Sequence, residues 1–200
     1  MAKGRVSRED WTMAALHALA RGGVKAVAVD VLGRELQVSR GSFYWHFENR
    51  EALLVAALET WELRATTDVI AAVRAEDDPW TRARALFAAA LGSEEIAGLE
   101  PALAAHADHP AVAEVVTRVT RARLDFLAEV FGALGLGPQE ARHRALAGYA
   151  AYLGWLELRR IAPAVAPEVL PRDPGATAAL EHLVTMVLGP SPAEHAGGDH

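Results

Sequence analysis

Cysteine is absent from the 200 residues, which excludes disulfides and thiolate chemistry and permits a reducing cytoplasm as the location. No apolar run reaches the roughly 18 residues that a membrane span needs. The opening MAKGRVSRED carries charge with no apolar stretch behind it, so no secretory signal is expected. Convincing period-two alternation is missing, which argues against a sheet. Also missing are GxSxG, the Walker A loop, HExxH and GxGxxG, the short motifs behind common hydrolases, nucleotide binders and zinc proteases.

What remains is apolar and helical in pattern. Hydrophobic residues make up 52% of the chain and mean hydropathy is +0.09, enough for a sizeable core and unlike a disordered chain. The net charge of −6 is unevenly spread. Residues 1–50 hold eight bases (Lys3, Arg5, Arg8, Arg21, Lys25, Arg34, Arg40, Arg50) against five acids (Glu9, Asp10, Asp30, Glu35, Glu48), a balance of +3. The other 150 residues carry twelve bases and twenty-one acids, a balance of −9. An acidic body repels phosphate and leaves the amino-terminal end to dock on a polyanion.

That end holds the most informative stretch, Val27–Leu53. A first helix is expected over Arg8–Arg21, opened by a capping box of Ser7 and Asp10 and ended by Gly22-Gly23. A short helix follows over Val29–Leu36, with Val31, Leu32 and Leu36 inward. The turn Gln37-Val38-Ser39 leads to another over Arg40–Phe47, capped by Ser39, and Asn49 caps a long helix to about Ala75. This is a helix-turn-helix, which sets its second helix in the major groove of DNA. Phe43 and Phe47 lie four apart and share a core face; Arg40, Ser42, Tyr44, Trp45 and His46 occupy the other. Gly41 lets backbone approach closely, Arg40 suits bidentate reading of guanine, and Arg50 suits phosphate at a helix start.

The segment GSFYWHFENREALL resembles the TetR family of transcriptional regulators, with the likeness spanning roughly residues 8–60. The resemblance implies a three-helix DNA-binding domain, a linking fourth helix, a helical ligand-binding body and a homodimer. It also implies DNA contacts from Arg40, Gly41, Ser42, Tyr44, Trp45, His46 and Arg50. Two departures stand out. The family usually has Gly where this chain has Gln37, a cost of about 1 kcal/mol if that site keeps positive φ. Helix 2 opens with Ala28-Val29-Asp30 in place of a phosphate-binding residue, and Asp30 repels a nearby phosphate.

The expected architecture is therefore all-α, with about nine helices. Residues 1–50 form the DNA-binding domain, 51–189 the ligand-binding and dimerisation domain, and 190–200 a disordered tail. Pocket candidates are Trp61, Phe87, His106, Phe126, Tyr149, Tyr152 and Trp155, suited to an apolar or aromatic effector, with His106, His109, Arg123 and Asp125 to fix a polar group. Ala141, Ala145, Gly148 and Gly154, with Leu180, Leu183, Val184, Val187 and Leu188, suggest a dimer seam. Competing readings are a protein–protein adaptor or a helical metalloenzyme built on Glu140-x-x-His143 or His106-x-x-His109; neither pair has the further ligands it needs, so no metal, cofactor or catalytic residue is expected.

Overall fold

Helix formation starts at Ser7. Its hydroxyl accepts the Asp10 N–H at 3.1 Å, and the Asp10 carboxylate accepts the Ser7 N–H at 2.7 Å, so the capping box read from the sequence is formed. The computed structural model describes residues 6–92, 99–162, 164, 182 and 185–188. Among these, every regular element is helical: α1 Arg8–Ala26, α2 Val29–Glu35, α3 Arg40–Tyr44, α4 Arg50–Glu62, a π-helical turn Leu63–Thr67, α5 Asp68–Arg74, α6 Pro79–Gly92, α7 Leu99–Ala104, α8 Pro110–Ala133 and α9 Pro138–Ile161. The all-helical fold class is thus as expected. Lys3, Arg5, Leu180, Leu183, Val184 and residues 190–200 lie outside the described residues.

Several boundaries move. Gly22 and Gly23 break α1 (Gly23 has φ +65°), but one more helical turn follows to Ala26. Asn49 caps α4 through its side chain, which accepts the Ala52 N–H at 2.8 Å. Ser39, in contrast, caps α3 with its backbone alone, its carbonyl accepting from Ser42 N at 3.0 Å. The helix expected from Asn49 to Ala75 is interrupted by the π turn, where the chain takes in an extra residue. The run ends with α5 at Arg74, and Asp78 opens α6 by accepting the Thr81 N–H at 2.7 Å and its hydroxyl at 2.8 Å.

The described residues fall into two compact units, one drawn from Met1–Ala65 and Gly98–Val119, the other from Thr66–Ala97 and Thr120–His200. In the first, α1 packs on α2, α4 and α7. Trp11, Leu19, Leu32, Phe43, Leu53, Leu58, Leu99 and Leu103 are sealed from solvent, and their apolar area supplies the main stabilising force. Glu62 binds Arg118 through both carboxylate oxygens. The second unit closes around Phe87, Phe126, Phe131 and Tyr149 with Ala141 and Ala145. There Arg74 pairs with Glu129 at 2.6 Å and lies over the Phe126 ring.

Part of the small-residue stripe of α9 packs into this second core, whereas a Cβ on Gly154 would meet nothing within 4 Å. Ala141 and Ala145 are buried within the chain, and a Cβ on Gly148 would stand 3.1 Å from Val187. Glu140 is held by Arg144 of the next turn at 3.0 Å. No described helix is long and apolar enough to cross a membrane.

Candidate nucleic-acid interface

Helix α3 is positioned from behind by aromatic packing. Phe43 is buried edge-on against Trp11, ring centroids 5.3 Å apart, and stacks on Phe47 at 5.7 Å. With these two rings fixed inward, the opposite face of α3 and the residues just after it turn out: Tyr44 is 56% and Trp45 78% exposed. α3 is only five residues long, ending at Tyr44 where Phe47 had been expected, so Trp45 and His46 sit in the turn that follows. Val31 of α2 is exposed, a correction to its expected inward place, while Leu32 is buried.

The connection between α2 and α3 has a specific form. Val38 N donates to Gly33 O at 2.9 Å and Gln37 N to Arg34 O at 3.1 Å, the paired bonds of a Schellman helix ending. The residue in the left-handed position of that motif is Gln37, with φ 57°. The backbone thus demands positive φ here although the sequence offers no glycine, at a cost of about 1 kcal/mol.

Charged groups at the start of the two helices meet. Arg40 Nε lies 3.7 Å from Asp30 Oδ1. The Tyr44 hydroxyl one turn on, and then the Asp30 carboxylate, hold the Arg40 guanidinium charged above its usual range. Arg34 donates its Nε to the Asp30 carbonyl at 3.1 Å. Gly41 is exposed, and a Cβ there would meet only Ser39 Oγ at 3.6 Å, so packing within the chain does not require glycine at that position.

Two further residues are tied into the domain. Ring nitrogen Nε2 of His46 is 3.0 Å from Val6 O, and the His46 carbonyl accepts from Arg8, whose guanidinium covers the Phe47 ring at 4.1 Å. Sequence reasoning missed Arg8 as the clasp on this end of the reader. Arg50 donates its Nε to Val27 O at 2.6 Å and a terminal nitrogen to Val24 O. It thereby satisfies carbonyls at the end of α1, just beyond the glycine break. Ser42 is half-buried.

Residues 12–57 match the model of the TetR family of bacterial regulatory proteins. That segment, which holds α2, α3 and the turn between them, is similar to the DNA-binding part of the TetR family. Solved structures of the same fold span nearly the whole chain. A transcriptional regulator from Rhodococcus shares 24% identity with a TM-score of 0.73, covering 92% of this chain and 95% of that one. A TetR regulator from Legionella pneumophila shares 15% identity with a TM-score of 0.72 over 93% of this chain and 98% of that one. SmeT, the repressor of a Stenotrophomonas maltophilia multidrug efflux pump, shares 19% with a TM-score of 0.64, over 92% of this chain and 87% of that one. No functionally curated protein is similar enough in sequence to count as a relative.

The seven pocket candidates divide between the two units. Trp61, which is buried, and His106 belong to the first; the ring of His106 lies against the backbone of Gly23. Phe87, Phe126 and Tyr149 share the core of the second unit, and Tyr152 packs against it, its ring 6.0 Å from that of Tyr149. Arg123 donates its Nε to Thr66 Oγ1 of the π turn at 2.9 Å and faces the Tyr152 ring at 6.0 Å. Trp155 also lies in the second unit, half-buried.

Proposed function

We propose that the protein is a homodimeric transcriptional repressor that sets α3 in the major groove of operator DNA and is released by a small, mainly apolar or aromatic effector. The observation that carries this reading is the outward face of the reader. Two large aromatic side chains, Tyr44 and Trp45, stand in solvent beside the exposed Arg40, on a segment anchored from behind by Phe43 and Phe47. A monomeric domain gains nothing in stability from exposing a tryptophan by 78%; a groove or backbone partner explains it.

In this reading Arg40 reads a base edge, Tyr44, Trp45 and His46 contact phosphates or bases, and Gly41 and Ser42 admit the sugar-phosphate backbone. Arg50 shapes the domain from within. The dimer forms through the outer face of α9, where Leu146, Leu153, Leu158 and Ile161 are 41–60% exposed. The effector enters among Phe87, Phe126, Tyr149 and Tyr152, with Arg123 to meet a polar group. Residues 1–50 act as reader and 51–189 as sensor and dimer body, and the protein performs no catalysis.

Selection of duplexes from a random pool by the full-length protein, followed by fluorescence anisotropy on the winner, tests the proposal. A single enriched, two-fold symmetric site that Trp45→Ala and Tyr44→Ala each weaken at least tenfold is the expected result. No enrichment, or full affinity in both variants, overturns it. Leu153→Glu is expected to yield monomers in analytical ultracentrifugation and to lose the two-half-site complex.

A further inference from the structure

We propose that Asp30 is a specificity-determining residue: its carboxylate, at the start of α2, fixes the direction in which Arg40 presents its guanidinium, and so decides which base pair Arg40 reads. This rests on the reading of α3 as the DNA reader.

An acid at this position is unexpected on electrostatic grounds. It sits beside the surface that must meet phosphate, where each negative charge opposes binding to every sequence alike. Fold stability does not account for the ion pair, because both side chains are about two-thirds exposed (Asp30 64%, Arg40 63%) and exposed pairs contribute little. The geometry gives it another use. Asp30 Oδ1 faces Arg40 Nε at 3.7 Å, along one edge of the guanidinium. Bidentate reading of guanine requires the planar fork of an arginine to arrive in one orientation. A carboxylate on the Nε edge leaves the other edge, with its two terminal nitrogens, for a base. Tyr44, one helical turn beyond Arg40, also favours the charged form of the guanidinium. Arg34 bonds the Asp30 carbonyl and so braces the start of α2. An arginine held in this way has less freedom left to lose on binding, and its choice of base sharpens.

The roles of charge near DNA and of positioning Arg40 predict opposite results for Asp30→Asn. The winning duplex from the selection above, and its single-base-pair variants, would be titrated with parent, Asp30→Asn, Arg40→Ala and the double variant at one salt concentration. The expected result for Asp30→Asn is severalfold tighter binding to an unrelated duplex, with discrimination falling about tenfold at one base pair. That base pair is the same one that Arg40→Ala blurs, and in the Arg40→Ala background Asp30→Asn changes discrimination no further. Asp30→Glu, which keeps the helix-start charge but moves the carboxylate, is expected to lose discrimination too. Uniformly tighter binding with discrimination intact overturns the proposal, as does a loss at a different base pair. A parent protein that selects no duplex at all overturns the DNA-reader reading itself, an outcome distinct from the preceding two.

Discussion

Replacing Arg50 with alanine separates two roles that the same residue could fill. In the folded chain its guanidinium reaches back across 23 residues to Val27 O at 2.6 Å and also binds Val24 O. The side chains of Val24 and Val27 are buried, and the glycine break leaves this last turn of α1 cut off from the ladder above it. A hydrogen bond to a charged group contributes about 1.5–3 kcal/mol. Two such bonds would give about 3–6 kcal/mol, but Arg50 is only half-buried and water can reach part of the vacated space. A loss of about 2–4 kcal/mol is therefore expected for Arg50→Ala. For a chain of this size that lowers Tm by roughly 5–15 °C. Arg50→Lys keeps the charge but replaces a two-pronged donor with a single ammonium, so it should recover less than half the loss. Urea and thermal unfolding measure the effect. The salt dependence of DNA binding gives the opposing signature, because a pure phosphate contact would lower the slope by about one and leave stability within about 0.5 kcal/mol of the parent. An Arg50→Ala protein as stable as the parent would refute the brace.

Other perturbations probe the same domain. Gly23→Ala combines a left-handed backbone with a Cβ that would stand 2.3 Å from His106 Nε2, so it should destabilise by more than about 2 kcal/mol, and His106→Ala in the same chain should restore part of that in a double-mutant cycle. Gln37→Gly should stabilise by about 0.5 kcal/mol, the relief of positive φ less the greater freedom of an unfolded glycine, seen as a higher urea midpoint; a lower midpoint would contradict the strain. Phe43→Ala should cost about 3–5 kcal/mol of stability whereas Trp45→Ala should leave the melting curve in place and reduce DNA affinity alone. Asp10 is held below its ordinary 3.8 by the Ser7 N–H and then the Ser7 hydroxyl, and Asp78 by the Thr81 N–H and then its hydroxyl. Carboxylates lowered in the folded state add stability that is complete above pH 3.8 and lost as pH falls through the lowered values, so the urea midpoint should decline below about pH 4, and less steeply in Asp10→Asn and Asp78→Asn.

Local signals in the sequence carried far. Ser7 with Asp10, Asn49 before Arg50, and Phe43 four residues ahead of Phe47 each specify a contact within one turn or so of chain, and each is formed. The exposure of Arg40, Tyr44 and Trp45 follows once the two phenylalanines are assigned inward, whereas Ser42 and His46 of the same expected face are half-buried. The turn at Gln37 was legible only as a conditional, because glutamine does not announce a left-handed backbone; the Schellman bonds around it do. Long-range partners were not legible. Arg8 on His46, Arg50 on the end of α1 and His106 on Gly23 join residues 23 to 83 positions apart, and nothing in their own neighbourhoods marks them. The π turn escaped for a different reason: Leu63–Thr67 has ordinary helical composition, and its extra residue is accommodated by Thr66 turning inward to Arg123. The stripe of small residues on α9 signalled close approach without naming the neighbour, since approach to Val187 of the same chain, seen at Gly148, and approach to a second subunit look alike in one sequence.

The way α7 joins the amino-terminal unit bears on how the protein is made. Leu99 and Leu103, followed by Val112, Val115 and Val119 of α8, are buried in the same unit as the core residues before residue 65, with 32 residues of the second unit spelled out in between. As the nascent chain leaves the ribosome, the first three helices emerge early but lack one wall until residue 119 has cleared the exit tunnel. Fragments cut after α4 should therefore behave as sticky, loosely ordered peptides rather than as small independent domains.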